Sequence, residues 1–241
     1  MLFIISNMRS LFKTITNATL RDVGLVCLAD GIVGISFGAI SVSGGLPPWF
    51  PIALSLLVFA GGAQFATVGV LLAGGDPLTA AATGLALNGR LVAYGFTVSE
   101  VLGQGRIARL LGSHFILDES VAFAMKQTEP DAKRAAFWAS GIMIFVVWNL
   151  AVLAGALAGK SIGNASSFGL DAAFPALLFA LVLPALSNKT TRHHALGGCL
   201  VATISTQLMA PGLSVLAALL VLVPSAWRSR IHQLHSTKTP S

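Results

Sequence analysis

The sequence predicts an all-α chain, a polytopic transmembrane helix bundle of about eight spans, some of them short or broken. Three observations predict it. Of 241 residues, 55% are hydrophobic and only 10% are charged, whereas soluble domains carry about 25% charged residues. Long apolar stretches recur, with lysines and arginines gathered in short runs between them. Within those stretches glycines fall at three- and four-residue spacing, the pattern that lets membrane helices approach closely. The net charge of +6 fits cytoplasmic loops beside anionic lipid and requires no nucleic-acid partner.

The start, MLFIISNMRS, has a short apolar run with its positive charge after it, so a retained N-terminus is expected rather than a cleaved signal. Residues 1–22 read as a cytoplasmic lead-in, basic and amphipathic over 8–22. A single transport domain follows over 23–227, and 228–241 is a basic cytoplasmic tail. The first span, 23–43, carries Gly24, Gly31, Gly34 and Gly38, with Asp30 on the same face. The break GGLPPWFP leads into a second span at 52–73, and a third runs from 78 to 98. Residues 107–126 are apolar but hold Asp118 and Glu119 near their middle. A clean span of uncharged residues covers 135–159, and another covers 171–187. The stretch 193–227, broken at Pro211-Gly212, reads as two short crossings or a re-entrant hairpin.

The positive-inside rule arbitrates the segment 107–126. If it crosses, both termini are cytoplasmic and the basic residues split 11 inside to 3 outside, with Arg90 in the membrane. If it does not, everything after it flips and the split becomes 4 inside to 10 outside. The expectation is therefore eight passes, the fourth short and irregular. A faint internal echo joins residues 46–58 to 170–182, which share six of thirteen residues; repeats of this kind build many transporters.

No enzyme constellation is present: GxSxG, HExxH and Walker loops are missing. Cys27 and Cys199 lack metal-ligand spacing, and no metal or cofactor is expected. The chemistry gathers instead around residues 59–95. There Gln64, Asp76, Asn88, Arg90 and Tyr94 stand in apolar sequence, interrupted by Gly61-Gly62 and Gly74-Gly75. An arginine at mid-helix costs roughly 2.5–3.5 kcal/mol on insertion scales, so Arg90 needs a partner or a wet cavity. It either binds a substrate carboxylate, pairs with an acid, or snorkels to the interface. Asp30, Asp118, Glu119 and Asp171 are the acids that can pair with it or carry protons. Asp171 equally suits a helix cap, Gln64 an interhelical hydrogen bond, and Trp148 packing.

These residues lie in stretches that are similar to one family. GISFG at 34–38, SLLVFAGGAQFATVGVLLAGG at 55–75, LNGRLVAYG at 87–95, LDESVAFA at 117–124, WNLAVLAGALAG at 148–159 and GLDAAFPALLFALV at 169–182 resemble the AzlC-type branched-chain amino-acid permeases, from about 20 to 227. The resemblance implies a bacterial inner-membrane exporter of leucine, isoleucine, valine and related amino acids such as methionine. It also implies a small AzlD-type second membrane subunit and the proton-motive force as energy source. Its polar signature falls on Gln64, Asn88, Arg90, Tyr94, Asp118, Glu119 and Asp171. One departure is Leu91, where the family commonly has histidine; Asp30 is a second, standing where an apolar or small residue is expected.

A zwitterionic amino acid needs donors for its carboxylate, acceptors for its ammonium and an apolar pocket. Arg90 and the broken helix ends at Gly61 and Gly62 can supply the first. Asp30, or Asp118 with Glu119, can supply the second. Two other classes remain: a passive channel subunit, and an assembly scaffold without transport of its own. Homo-oligomers fit any of the three.

Overall fold

The computed structural model describes residues 15–103, 105–161, 179, 183–209 and 213–222. It is all-α, with no strand among the described residues. The helices are α1 (Asn17–Ser43), α2 (Trp49–Leu57), α3 (Gly61–Leu72), α4 (Pro77–Thr97), α5 (Arg106–His114), α6 (Asp118–Met125), α7 (Pro130–Ser161), α8 (Lys189–Ser205) and α9 (Leu213–Ala218), with 3₁₀ turns at Leu183–Ser187 and Leu219–Leu222. Two of them, α1 and α7, are long and apolar enough to cross a membrane. The chain divides into two compact units, Met1–Phe65 with Leu87–Phe168, and Ala66–Ala86 with Gly169–Ser241.

The first unit is built on α1 against α7. Thr16 caps α1, its hydroxyl accepting from the Thr19 N–H at 3.2 Å; the lead-in from Asn17 is therefore one helix with the first span. Contact points rise together along both chains: Gly31 faces Val147, Gly34 faces Ala151, and Gly38 faces Val152 and Ala156. The two helices are thus parallel. Two glycine pairs, Gly34/Gly38 and Gly155/Gly159, bring the backbones together. A Cβ on Gly155 would lie 2.0 Å from the Ile35 carbonyl oxygen, and one on Gly38 2.3 Å from that of Val152. Lipid tails are as apolar as leucine, so this shape match, more than hydrophobic burial, holds the pair. Gly24 meets nothing within 4 Å and stands outside the seam.

Two expected spans are not single helices. The second, 52–73, is split into α2 and α3 by an irregular turn at 58–60. The fourth, 107–126, is split into α5 and α6 at 115–117, so Asp118 and Glu119 occupy the first turn of a helix rather than mid-span. Each break frees backbone groups that cannot stay unpaired away from water, and each has a fully buried side chain that takes them up. At the first, Gln64 Nε2 donates to the Val58 carbonyl at 2.6 Å. At the second, Ser120 Oγ donates to the Phe115 carbonyl at 2.7 Å and accepts from the Leu117 N–H at 3.0 Å. The expected third span coincides with helix α4, which is not among the helices of crossing length and apolarity, and the 135–159 span coincides with α7, extended at both ends.

In the second unit, Gly74 adopts φ +82° in the turn between α3 and α4, a conformation that favours glycine. Asp76 caps α4 from that turn, accepting from Leu78 N and Thr79 N at 3.0 Å each. The hydroxyl of Thr79 donates to the same carboxylate, holding it below the usual aspartate range. Within the same unit Asn188 caps α8, and α8 meets the Leu219–Leu222 turn where a Gly197 Cβ would touch Val221. The Pro211-Gly212 break, Asp171, the second half of the internal echo, most of the 171–187 span and the basic tail lie outside the described residues.

Candidate functional site

The charged residues of the first unit meet where its two helix breaks meet. α4 carries Arg90 and, one turn on, Tyr94. α6 begins at Asp118 because Leu117 is extended, φ −130°, and Ser120 closes the turn behind it. Arg90 Nη1 lies 2.8 Å from Asp118 Oδ2. Arg90 is 51% exposed and Asp118 39%, so the pair is only half-buried. Tyr94 interacts with the same carboxylate. The other oxygen, Asp118 Oδ1, is buried and has no hydrogen-bond partner among the described residues. Asp118 and Glu119 also sit at a helix N-terminus, whose partial positive charge favours carboxylates there.

From α1, Asp30 brings a third carboxylate. Its Oδ2 is likewise buried without a donor, and it lies within electrostatic reach of Glu119. Arg90 thus acts on Asp118 and Glu119, and Asp30 joins the group through Glu119.

The α2–α3 break completes the junction from the other side. Gly62 faces Arg90, where an added Cβ would stand 3.7 Å from Nη2. Gly61 lies under the Trp148 indole, with 3.2 Å available to a Cβ. Gln64 is 0% exposed; besides Val58, its Oε1 accepts from Trp148 Nε1 at 3.1 Å. Trp148 in turn stacks on Phe37, ring centroids 6.1 Å apart. Ser55 on α2 donates to Asn149 Oδ1 at 2.7 Å. Gln64 and Trp148 thus fix the break in place, while Gly62 leaves one flank of Arg90 uncrowded.

The structure brings together Asp30, Gly61, Gly62, Gln64, Arg90, Tyr94, Asp118 and Glu119. Asn88 is half-buried on α4, two residues before Arg90, and Asp171 is outside the described residues. Sequence reasoning passed over an aromatic cluster at the two breaks. Phe59 lies 5.0 Å from Phe145 and 6.0 Å from His114, and Phe115 lies 5.6 Å from Phe145, between ring centroids. The only available signal was an aromatic residue at each break, Phe59 before the glycine pair and Phe115 before the acids.

Among the described residues the structure is all-α, with two helices long and apolar enough to cross a membrane and charged groups gathered at broken helix ends. The family model for the AzlC protein matches residues 26–162, more than half of the chain, and the chain belongs to the AzlC family. Membership carries membrane association and a function related to branched-chain amino-acid transport. The match includes every candidate residue except Asp171, which falls beyond its end along with the 169–182 stretch of the resemblance. No curated protein and no solved structure matches the chain.

Proposed function

We propose that this chain exports leucine, isoleucine, valine and related neutral amino acids, methionine among them, across the bacterial inner membrane. Export exchanges solute for protons and uses a small AzlD-type membrane subunit. The chain is multi-pass, has both termini in the cytoplasm, and makes or breaks no covalent bond. The observation that carries this reading is the Arg90–Asp118 pair, half-buried beside a helix break, with two buried carboxylate oxygens that have no donor among the described residues.

The arrangement suits a zwitterion through exchange of partners. A substrate carboxylate takes the Arg90 guanidinium, whose planar fork binds carboxylates two-pronged. Asp118, released, then accepts the substrate ammonium together with Asp30 and Glu119. When the solute leaves, protons replace the ammonium on the excess carboxylates. An apolar pocket separates side chains by only about 1–3 kcal/mol per methylene, so specificity across branched side chains is broad.

The test is efflux from cells lacking their own exporters and loaded with leucine-, valine- or methionine-containing dipeptides, with and without an AzlD-type partner. Saturable efflux that requires the partner and stops with a protonophore is the expected result. Arg90→Ala should abolish it while still inserting in the membrane. Normal efflux from a well-expressed Arg90→Ala variant would remove the carboxylate role.

A further inference from the structure

We infer that residues 106–125 form a re-entrant hairpin, leaving the membrane on the face they entered, and that its tip closes on the 58–60 break as the mid-membrane barrier to solute. The hairpin is argued from α7 used as a ruler. α7 has 32 residues, about 48 Å at 1.5 Å per residue. The chain ahead of α5 lies at the start of α7: Trp138 Nε1 donates to the Val101 carbonyl at 3.0 Å, and a Cβ on Gly103 would lie 3.3 Å from Arg134 Nη2. The chain behind α6 reaches Pro130, the first residue of α7. Between these two points the turn at 115–117 reaches inward, where Gly141 packs on Phe115 and Phe115 meets Phe145. That is roughly 16–22 Å along α7 from its start, near mid-depth for a hydrocarbon core of about 30 Å. Both ends of 106–125 are therefore at one end of α7, and its tip is halfway along.

Charge supports the same conclusion independently. A crossing would put Arg106 and Arg109 on the face opposite Lys126, Lys133 and Arg134. A hairpin puts all five together, on the face where α1, parallel to α7, also begins. The distribution of basic residues moves from 11 and 3 to 13 and 1, leaving Lys160 alone outside. Nothing downstream flips, by parity. Because α1 and α7 point the same way, the chain crosses an odd number of times between Ser43 and Pro130. With 106–125 returning, only one of 49–72 and 77–97 crosses. α4 is less apolar than α1 and α7, carrying Asn88 and Arg90, but it is unbroken over 21 residues, about 31 Å, whereas α2 and α3 are each under about 20 Å.

Phe59 belongs to one break and His114 and Phe115 to the other, and all three pack with Phe145. Irregular backbone at this depth is tolerated only where protein buries it or a cavity needs it. The barrier rests on the reading of the chain as a transporter; the hairpin does not.

Single cysteines introduced in a Cys27→Ala/Cys199→Ala background, read with a membrane-impermeant maleimide, separate the two. Ser99→Cys and Thr128→Cys, both at exposed positions, should stay unlabelled in intact cells and label in inverted vesicles. Gly44→Cys, after the parallel α1, should label in intact cells. Labelling of Ser99→Cys and Thr128→Cys from opposite faces would overturn the hairpin, and labelling of both from outside would overturn its cytoplasmic placement. For the barrier, purified Phe59→Ala/Phe115→Ala protein in liposomes should pass leucine down its gradient at least severalfold faster than the unaltered chain. An unchanged leak from protein that elutes normally would overturn the barrier and leave the hairpin to the labels.

Discussion

Gly155 gives the sharpest stability test, because its replacement acts through one distance. A Cβ there would stand 2.0 Å from the Ile35 carbonyl oxygen, with the Ile35 carbonyl carbon at 2.8 Å. Carbon–oxygen contacts between helices settle near 3.3–3.6 Å, so α1 and α7 must separate by about 1.3 Å. Both obstructing atoms are backbone, so no rotamer change relieves the clash. Overpacking of this kind costs about 1–3 kcal/mol, and a gap of 0.5–1 Å forfeits a quarter to a half of each neighbouring dispersion contact. Alanine recovers up to about 1 kcal/mol of helix propensity, leaving a net loss near 2 kcal/mol. Gly24→Ala is the matched control: the same helix-favouring change where nothing lies within 4 Å, so it should stabilise by up to about 1 kcal/mol.

The readout is the midpoint of thermal unfolding in detergent, followed by the loss of monodisperse protein on size exclusion. For chains of this size 1 kcal/mol moves the midpoint by about 2–4 °C, so the two variants should differ by about 6–12 °C, with Gly155→Ala lower. Gly38→Ala, whose Cβ would lie 2.3 Å from the Val152 oxygen, should fall beside Gly155→Ala. If Gly155→Ala melts within about 1 °C of Gly24→Ala, a backbone-to-backbone seam is the wrong description of α1 and α7.

Gln64→Leu leaves the Val58 carbonyl and the Trp148 indole N–H buried without partners, at about 1–3 kcal/mol each; its melting midpoint should drop well below that of Gln64→Glu, which keeps an acceptor for Trp148. Asp118→Asn should remain folded, since an amide can still accept from Arg90, but lose protonophore-sensitive efflux; unaltered coupling in that variant removes Asp118 from the exchange. Asp76 gives a pH signature of its own. Its carboxyl is held below the ordinary range by the Thr79 hydroxyl and the capped N–H groups, so the folded chain binds that proton more weakly than the unfolded one. The cap's charge therefore contributes stability above about pH 4, and the contribution is lost as the pH falls through the lowered folded value. The midpoint difference between the unaltered chain and Asp76→Asn should shrink on going from pH 6 to pH 3, and a difference that widens would reverse the sign of the argument.

How much of this was legible in the sequence follows from which interactions leave a local trace. Apolar length located α1, α4 and α7, and glycine spacing marked Gly31, Gly34 and Gly38 as a contact face, because a helix repeats its own neighbours every three or four residues. It could not name the partner: that Gly38 meets Val152 and Ala156 is a long-range fact with no local period. The breaks were harder. Hydropathy averaged over a window runs straight across 58–60 and 115–117, since Val58, Phe59, Phe115, Ile116 and Leu117 are as apolar as any helix interior. What ends the helices there is Gln64 and Ser120 offering the backbone other partners, and a glutamine or serine in sequence does not announce which carbonyl it will satisfy. Arg90 was legible by cost alone, since a charge in apolar sequence demands a partner, and Asp118 answers it. Its position at the start of α6 is what the sequence concealed, and that position brings it to Arg90. A bundle of unbroken spans would bury the acids in a helix interior; the half-helix α6 presents them at a helix N-terminus, whose partial positive charge faces them.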